Sequence, residues 1–580
     1  LHTDHRLGCC AAITRDVVID VPEMSQVHRQ VVRKDAGALN MPVDPVITLH
    51  YVTVAAATMD DPTGAVQRLR AALAEQWELR GLRVDRSMMQ AVQSLTGEAP
   101  TAMTVAVREG KNVVAVWPGL RDRIVGIAFD VGSTTLAGHL CDLHTGEVLA
   151  SAGRMNPQIA FGEDLMSRVS YVMMNPGGAD RLTRAVREAL GEMVATLCAS
   201  ASLQPSDVLE LCLVGNPIMH HLVLGLDPTP LGSAPFALAT TESVTVLATE
   251  LGIGVHPGAR AYLPPCIAGH VGADAAAMVL AQGPHHAAPL TLLVDIGTNA
   301  EIVLGNSERL LAASSPTGPA FEGAQISGGQ RAAAGAIERV RIDPVTLEPR
   351  IRVIGAARWS DQPGFARSVQ RTGVTGICGS GIIEVVGELF LAGVIAADGS
   401  MSGREHNRIE ATERTFAYRL WDDPVVRITQ ADIRAIQLAK AALYAGCRLL
   451  MDAFGRDDIE SIQIAGAFGA NIDPKYALLL GLIPDCDLRR VTSVGNAAGT
   501  GALMALLSRD ARSDIEQATA RIEKIETAIE PAFQEHFVAA LAIPHTSAST
   551  YHLEQAVRLP TPSQPATRRR RAGRRGGSAP

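Results

Sequence analysis

One short pattern occurs twice in this chain and restricts what it can fold into. A buried apolar strand ends on an aspartate, turns through glycine and hydroxyl residues, and a second apolar strand runs back. The first copy is IVGIAFDVGSTTLAGHLCDL, residues 124–143, and the second is TLLVDIGTNAEIVLG, residues 291–305. Both read as β-hairpins with a polar, glycine-bearing tip. Gly132 lets backbone come close to a ligand, and Ser133, Thr134 and Thr135 offer hydroxyl and N–H donors to anionic oxygens. Asp130, at the strand end, is placed to hold a metal ion or its water shell beside them. The aspartates of the two copies, Asp130 and Asp295, stand about one domain-length apart.

Paired in this way, the hairpins resemble the two phosphate loops of the acetate and sugar kinase/Hsc70/actin superfamily. The resemblance implies a third element, a late glycine-rich turn for adenosine. SIQIAGAFGANID, residues 461–473, fits it, with Gly466 and Gly469 after an apolar strand. The alternative is two ordinary tight hairpins and a glycine turn. The fold expected is α/β, a two-lobed actin-like, ribonuclease H-like ATPase domain preceded by a small α/β middle domain.

Composition agrees with this class. Apolar residues make up 47% of the 580, aromatics only 4%, as in an α/β protein with a large core. No apolar run approaches the ~18–20 residues of a membrane span, so no membrane is expected as a partner. A net charge of −8 gives no sign of a nucleic-acid surface. The nine cysteines lie scattered, without a Cys-x-x-Cys pair, which suits a reducing cytoplasm.

Along the chain, residues 1–23 read as a strand pair, and the opening Leu1 reads as the end of something longer, a fragment or a late-called reading frame. Residues 24–45 are a polar linker. Residues 46–120 are a small α/β unit whose helix is expected to be capped by the Asp of DPTGAVQRLRAALAEQW, closing with the hairpin TAMTVAVRE/KNVVAVWP. The ATPase-like domain spans 124–545. Within it His220 and His221 are adjacent on a helix, about 100° apart, and suit core or surface better than one metal. Asp274 reads either as a cleft residue or as a helix N-cap. Glu322 and Arg331 sit in a glycine-rich loop, and Gly379-Ser380-Gly381 opens a helix whose free N–H groups suit an anion. Residues 396–424 look like an exposed insertion, and FVAALAIPH like a last strand. From 546 the Ser/Thr/Pro/Gly-rich, arginine-ended tail is expected to be disordered.

A narrower resemblance emerges from DVGSTT, LVGNPIMHHLVLGLDP, LPPCIAGHVGADAA, LLVDIGTNAEIVLG, GPAFEGAQISGG, GICGSGIIEVVGELFLAGVI and IAGAFGANID. Together they are similar to the reductive activators of corrinoid proteins, over about residues 6–545. That family joins a [2Fe–2S] ferredoxin domain, a linker, a middle domain and an ATPase. It couples ATP to one-electron reduction of Co(II) corrinoid to Co(I), supporting corrinoid-dependent methyl transfer. The resemblance implies ATP and Mg²⁺ between Asp130, Gly132, Ser133, Thr134 and Thr135 on one side and Asp295, Gly297, Thr298 and Asn299 on the other. Gly466 and Gly469 would face the adenosine. Cys9 matches the fourth cluster ligand, with the other three not in this chain, so a [2Fe–2S] cluster is expected only in a longer protein. The partners implied are a corrinoid protein and an unidentified electron donor, with a homodimer compatible.

Three other classes stay open at this point. A small-molecule kinase would need a base such as Asp274 or Glu322. An activator of 2-hydroxyacyl-CoA dehydratases would use Cys266 and Cys378 as cluster ligands, although both suit an apolar core. The third is an ATP-sensing module that docks a corrinoid protein without electron transfer.

Overall fold

The computed structural model describes residues 41–560, apart from 98, 163 and 470. The segment read as a cluster-domain remnant, with Cys9, lies outside the described residues, as do most of the linker and the arginine-rich end.

The first unit contains β1 (Ile47–Val54), α1 (Ala65–Trp77), β2 (Arg83–Val84), α2 (Arg86–Leu95), β3 (Thr101–Arg108) and β4 (Asn112–Pro118). Its sheet runs β1-β3-β4-β2. Leu69 and Leu73 of α1 and Val92 of α2 pack on Val52, Met103 and Val105 of the sheet. The helix starts after Gly64, not at the expected aspartate. Asp61 instead accepts the Thr63 N–H at 3.2 Å, closing the preceding turn.

The next lobe holds β5 (Val125–Val131), β6 (Thr135–Asp142), β7 (Val148–Met155), α3 (Leu165–Met174), α4 (Gly178–Ser200), β8 (Val208–Gly215), α5 (Pro217–Leu224), β9 (Val244–Leu247), β10 (Arg260–Leu263) and α6 (Ala273–Gln282). The sheet order is β7-β6-β5-β8-β10-β9. β5, β6 and β7 form an antiparallel meander, and β8 and β10 continue in parallel with β5.

The second lobe begins with β11 (Thr291–Ile296), β12 (Ala300–Gly305) and β13 (Leu310–Ser315). An excursion follows: β14 (Ala336–Ile342), β15 (Pro349–Val353), α7 (Phe365–Ser368), β16 (Gly376–Ile377), α8 (Gly379–Leu391), β17 (Ile409–Ala411), β18 (Phe416–Asp422) and β19 (Val425–Thr429). The chain returns through α9 (Gln430–Phe454), β20 (Ser461–Ala465), α10 (Gly466–Gly469), α11 (Pro474–Leu480), β21 (Val491–Gly495), α12 (Ala497–Leu507), α13 (Arg509–Arg521), β22 (Ile522–Lys524), α14 (Pro531–Ala539) and α15 (Tyr551–Ala556). The sheet order β21-β20-β11-β12-β13-β22 repeats the plan of the first lobe, a three-stranded meander extended in parallel from its first strand. Two ribonuclease H-like lobes therefore carry the two sequence hairpins as β5–β6 and β11–β12.

α6 and α12 follow β10 and β21, which end the parallel extension of the meander in each lobe, and the two helices cross between the lobes. The crossing is tight: a Cβ on Gly501 would lie 2.0 Å from the Ala277 carbonyl oxygen. α12 packs Ala502, Leu503 and Leu506 into the first lobe's core beside Ala128 and Cys212. A buried ionic triad joins all three units. Glu210 of β8, fully buried, accepts from Arg108 of β3 at 3.2 Å through both oxygens and pairs with Arg512 of α13 at 2.8 Å. Asp44 adds a second tie, bridging to Ser508 in the backbone and pairing with Arg509 at 2.6 Å. The last residues of the supposed linker are thus docked, because their backbone has a helix corner to pair with.

Three other expectations are corrected. Residues 396–424 are not a bare insertion, since β17, β18 and β19 form a sheet that buries Tyr418 and Leu420. FVAALAIPH is the end of α14 and an irregular strap, held by Gln437 and by the buried Lys440, whose ammonium donates to the Pro544 carbonyl at 2.7 Å. The tail does not lose order at 546. α15 follows, Leu553 is buried, and Asp485 accepts the His552 and Leu553 N–H groups at 2.8 and 3.0 Å.

Candidate active site

The two hairpin tips face a cavity of about 240 Å³ between the lobes. In the first tip, Gly132 N–H donates to the Thr135 carbonyl at 3.2 Å. The other carbonyls are taken from behind. Asn156 donates its side-chain amide to Gly132 O and its backbone N–H to Thr134 O, both at 2.9 Å, and Arg168 reaches Ser133 O at 2.5 Å. With the turn's carbonyls occupied on the lobe side, residues 132–135 line the cavity. Arg168 is fully buried, and burial lowers its pKa to about 10, so it remains a cation at neutral pH.

The second tip is braced by the same logic from different residues. Thr317 Oγ1 donates to Gly297 O at 2.8 Å and Thr298 O at 3.0 Å, and Gly318 N–H also reaches Thr298 O. Thr298 Oγ1 donates to Glu322 at 2.7 Å. Gly297, Thr298 and Asn299 line the cavity.

Acidity dominates the centre. Asp130, Asp274, Asp295, Glu301 and Glu322 all line the cavity. Asp295 and Glu301 are directly opposed across β11 and β12, where like charges destabilise a sheet unless something positive sits between them. Burial, with Asp130 and Asp295 nearby, raises Asp274 to about 7. Burial, then Asp274 and Asp295, holds Glu301 well above the usual carboxylate range. No three of these acids offer oxygens all within 4.8 Å of one another. That spacing suits a hydrated Mg²⁺ better than a dehydrated ion, in keeping with magnesium's retention of water.

Around the acids the wall turns positive. The first residues of α6, α8 and α12 reach the cavity, as does Asn216 at the cap of α5, so four helix N-termini point their partial positive charge inward. Asn496 caps α12 through its oxygen, while its buried Nδ2 has no hydrogen-bond partner. An anionic oxygen in the cavity would satisfy it. Arg331 is the one cationic side chain among the described lining residues, and it reaches from the second lobe to Met155 Sδ of the first at 3.4 Å. The donor set thus fits a nucleotide polyphosphate with a divalent cation.

Most of the residues singled out in the sequence meet here. Gly466 adopts φ +91°, and a Cβ on it would lie 2.2 Å from Asp295 Oδ1, so it packs against the carboxylate. Gly469 is displaced from the cavity wall: it sits over Ile464, and its carbonyl accepts from Ser493 at 3.1 Å. Asp274 lines the cleft, and Gly272 takes the N-cap position instead. Cys266 and Cys378 are separate buried thiols, the first raised to about 12 by burial. His221 is structural, its Nδ1 on Pro217 O at 2.8 Å and its Nε2 accepting the Ala239 N–H at 3.0 Å. Glu301 was missed, although counting outward from the tip of VDIGTNAEIV pairs it with Asp295. Arg168 and Asn496 had no comparable signal.

Three family descriptions match consecutive parts of the chain: the RACo linker region over residues 36–123, the RACo middle region over 125–287, and the C-terminal domain of RACo, the ASKHA domain, over 289–554. In those terms the small first unit falls in the linker region and the first lobe in the middle region. The chain is 36% identical to the corrinoid activation enzyme RamQ of Eubacterium limosum, over 72% of this chain and 70% of that one. It is 25% identical to a [Co(II) methylated amine-specific corrinoid protein] reductase of Methanosarcina barkeri, over 68% and 72%. A solved reductive activator for corrinoid, iron-sulfur protein superposes with a TM-score of 0.78 at 31% identity, covering 93% of this chain and 86% of that one.

Proposed function

The chain belongs to the RACo family of reductive activators of corrinoid proteins, and from that premise we propose that it is an ATP-hydrolysing enzyme that returns an inactive Co(II) corrinoid protein to Co(I). The observation that carries the nucleotide half of this reading is the facing of two back-braced hydroxyl hairpins across a cluster of cleft carboxylates. Ser133, Thr134, Thr135, Thr298 and Asn299 would take the phosphate oxygens. Asp130, Asp274, Asp295 and Glu301 would hold Mg²⁺ through its water, and that ion would neutralise the phosphates. Gly466 lies where it closes the pocket on the Asp295 side. Arg331 would supply positive charge where negative charge builds on the γ-phosphoryl oxygens.

The redox half is one electron per cobalt: the donor is oxidised by one electron and Co(II) becomes Co(I). The donor proposed is a ferredoxin-type [2Fe–2S] centre, toward which Cys9 would be one ligand. For a one-electron step each ~59 mV of shortfall costs a factor of ten in the equilibrium. ATP offsets this only through states that differ in affinity for the corrinoid protein, and a swing from 1:99 to 99:1 needs about 5.5 kcal/mol of differential binding. Closure of two lobes on a nucleotide is the device proposed, in a cytoplasmic setting.

Calorimetry against the cognate Co(II) corrinoid protein in the nucleotide-free, ADP and non-hydrolysable ATP states tests this. A change in affinity of tenfold or more between states is expected, and equal affinities in all three would remove ATP's mechanical role.

A further inference from the structure

Far from the cleft's acids, at the other end of α6, three potential metal ligands converge. His285 and His286 follow α6 in a single 3₁₀ turn, with ring centroids 3.9 Å apart, and both aim Nε2 at Asp514 of α13. His285 Nε2 lies 3.1 Å from each Asp514 oxygen, and His286 Nε2 lies 3.0 Å from Oδ2. Among the described residues this is the one group of three His, Cys, Asp or Glu side chains whose ligand atoms all lie within 4.8 Å of one another.

We propose that His285, His286 and Asp514 bind a borderline first-row divalent cation of the Zn²⁺ class, independently of the nucleotide. Ligand atoms on a tetrahedral Zn²⁺ stand about 3.3 Å apart, as follows from bonds of about 2.0 Å. The nitrogen-to-oxygen spacings here need to open by only a few tenths of an ångström. Two imidazoles and one carboxylate are a zinc set, with too few oxygens for Mg²⁺ or Ca²⁺. His285 Nδ1 has no hydrogen-bond partner, so without metal the ring donates from Nε2 to Asp514, and a bound cation would take the place of that proton, which passes to Nδ1. Arg521, the cation nearby, is drawn onto the Ser307 carbonyl at 2.7 Å. His286, its side chain 65% exposed, leaves the fourth position open to water. The bound ion would staple the end of one interlobe helix to the helix that follows the other.

The test titrates the EDTA-treated full chain with Zn²⁺ by calorimetry and counts retained metal after dialysis, in wild type, His286→Ala and Asp514→Asn. Wild type should retain one more zinc than either variant, and its melting temperature should rise with Zn²⁺ where that of His286→Ala does not. Co²⁺ should give a visible ligand-field band, without a thiolate charge-transfer band, that His286→Ala loses. His286 is exposed, so that variant folds even if Asp514→Asn does not. Equal zinc content and equal cobalt spectra in wild type and His286→Ala would overturn the proposal, and cysteine-bound metal would show as zinc that persists in the variant.

Discussion

At the scale of single residues, the cleft sets acids against one arginine. Asp130→Asn and Asp295→Asn should each lower ATP turnover by about 10²–10³-fold, the cost of removing one preorganised electrostatic contact, while circular dichroism stays that of wild type. Full turnover in either variant would sink the metal and phosphate assignment. Arg331→Ala should lower kcat more than it raises KM for ATP, because its charge is most useful in the transition state. Asp274 makes a pH prediction with a definite sign. A carboxyl whose pKa is raised on folding to about 7 keeps its proton longer in the native state. It therefore favours the fold at low pH and progressively opposes it as pH rises from the ordinary carboxylate range to about 7. Nucleotide-free protein should lose thermal stability over that window, Asp274→Asn should lose less, and Mg²⁺-nucleotide should restore it. Binding of Mg²⁺-nucleotide near pH 6 should also release protons, read as a dependence of the calorimetric heat on buffer ionisation enthalpy.

At the scale of elements, the α6–α12 crossing and the back-braced hairpins decide how the cleft is held. Only a residue without a Cβ lets α12 lie against the Ala277 carbonyl at Gly501. Gly501→Ala should push the helices apart, costing about 1–3 kcal/mol by the usual penalty for overpacking, and should weaken nucleotide binding at a site it does not touch. Denaturant unfolding and nucleotide titration of the same variant check both parts. The hairpins themselves were legible, because a strand ending in Asp-x-Gly-Ser/Thr carries its turn chemistry locally. Their bracing was not. Arg168 reads as one more charged helix residue, and only the fold places its guanidinium beneath Ser133. The three-stranded sheet at β17–β19 was missed for a related reason: its few apolar side chains, Tyr418 and Leu420 among them, suffice only because a larger core waits beneath.

At the scale of the whole molecule, the Arg108–Glu210–Arg512 triad makes the small first unit, the first lobe and α13 one mechanical body. Arg108→Ala leaves a buried carboxylate short of a partner and should destabilise by about 3–5 kcal/mol, whereas a hydrophobic replacement of all three side chains should cost far less. Chemical denaturation separates the two outcomes. Local chemistry in the chain determined the doubled hairpin, the α/β class, the family and most of the cleft's first contacts, because turn residues, strand alternation and glycine spacing act within a few positions of one another. Whatever depends on residues far apart in the chain was decided by tertiary structure alone. Asp274 becomes a cleft acid, Gly469 leaves the wall, Asn496 is left with an unsatisfied donor and His285 meets Asp514, since each outcome depends on which distant backbone packs behind the side chain.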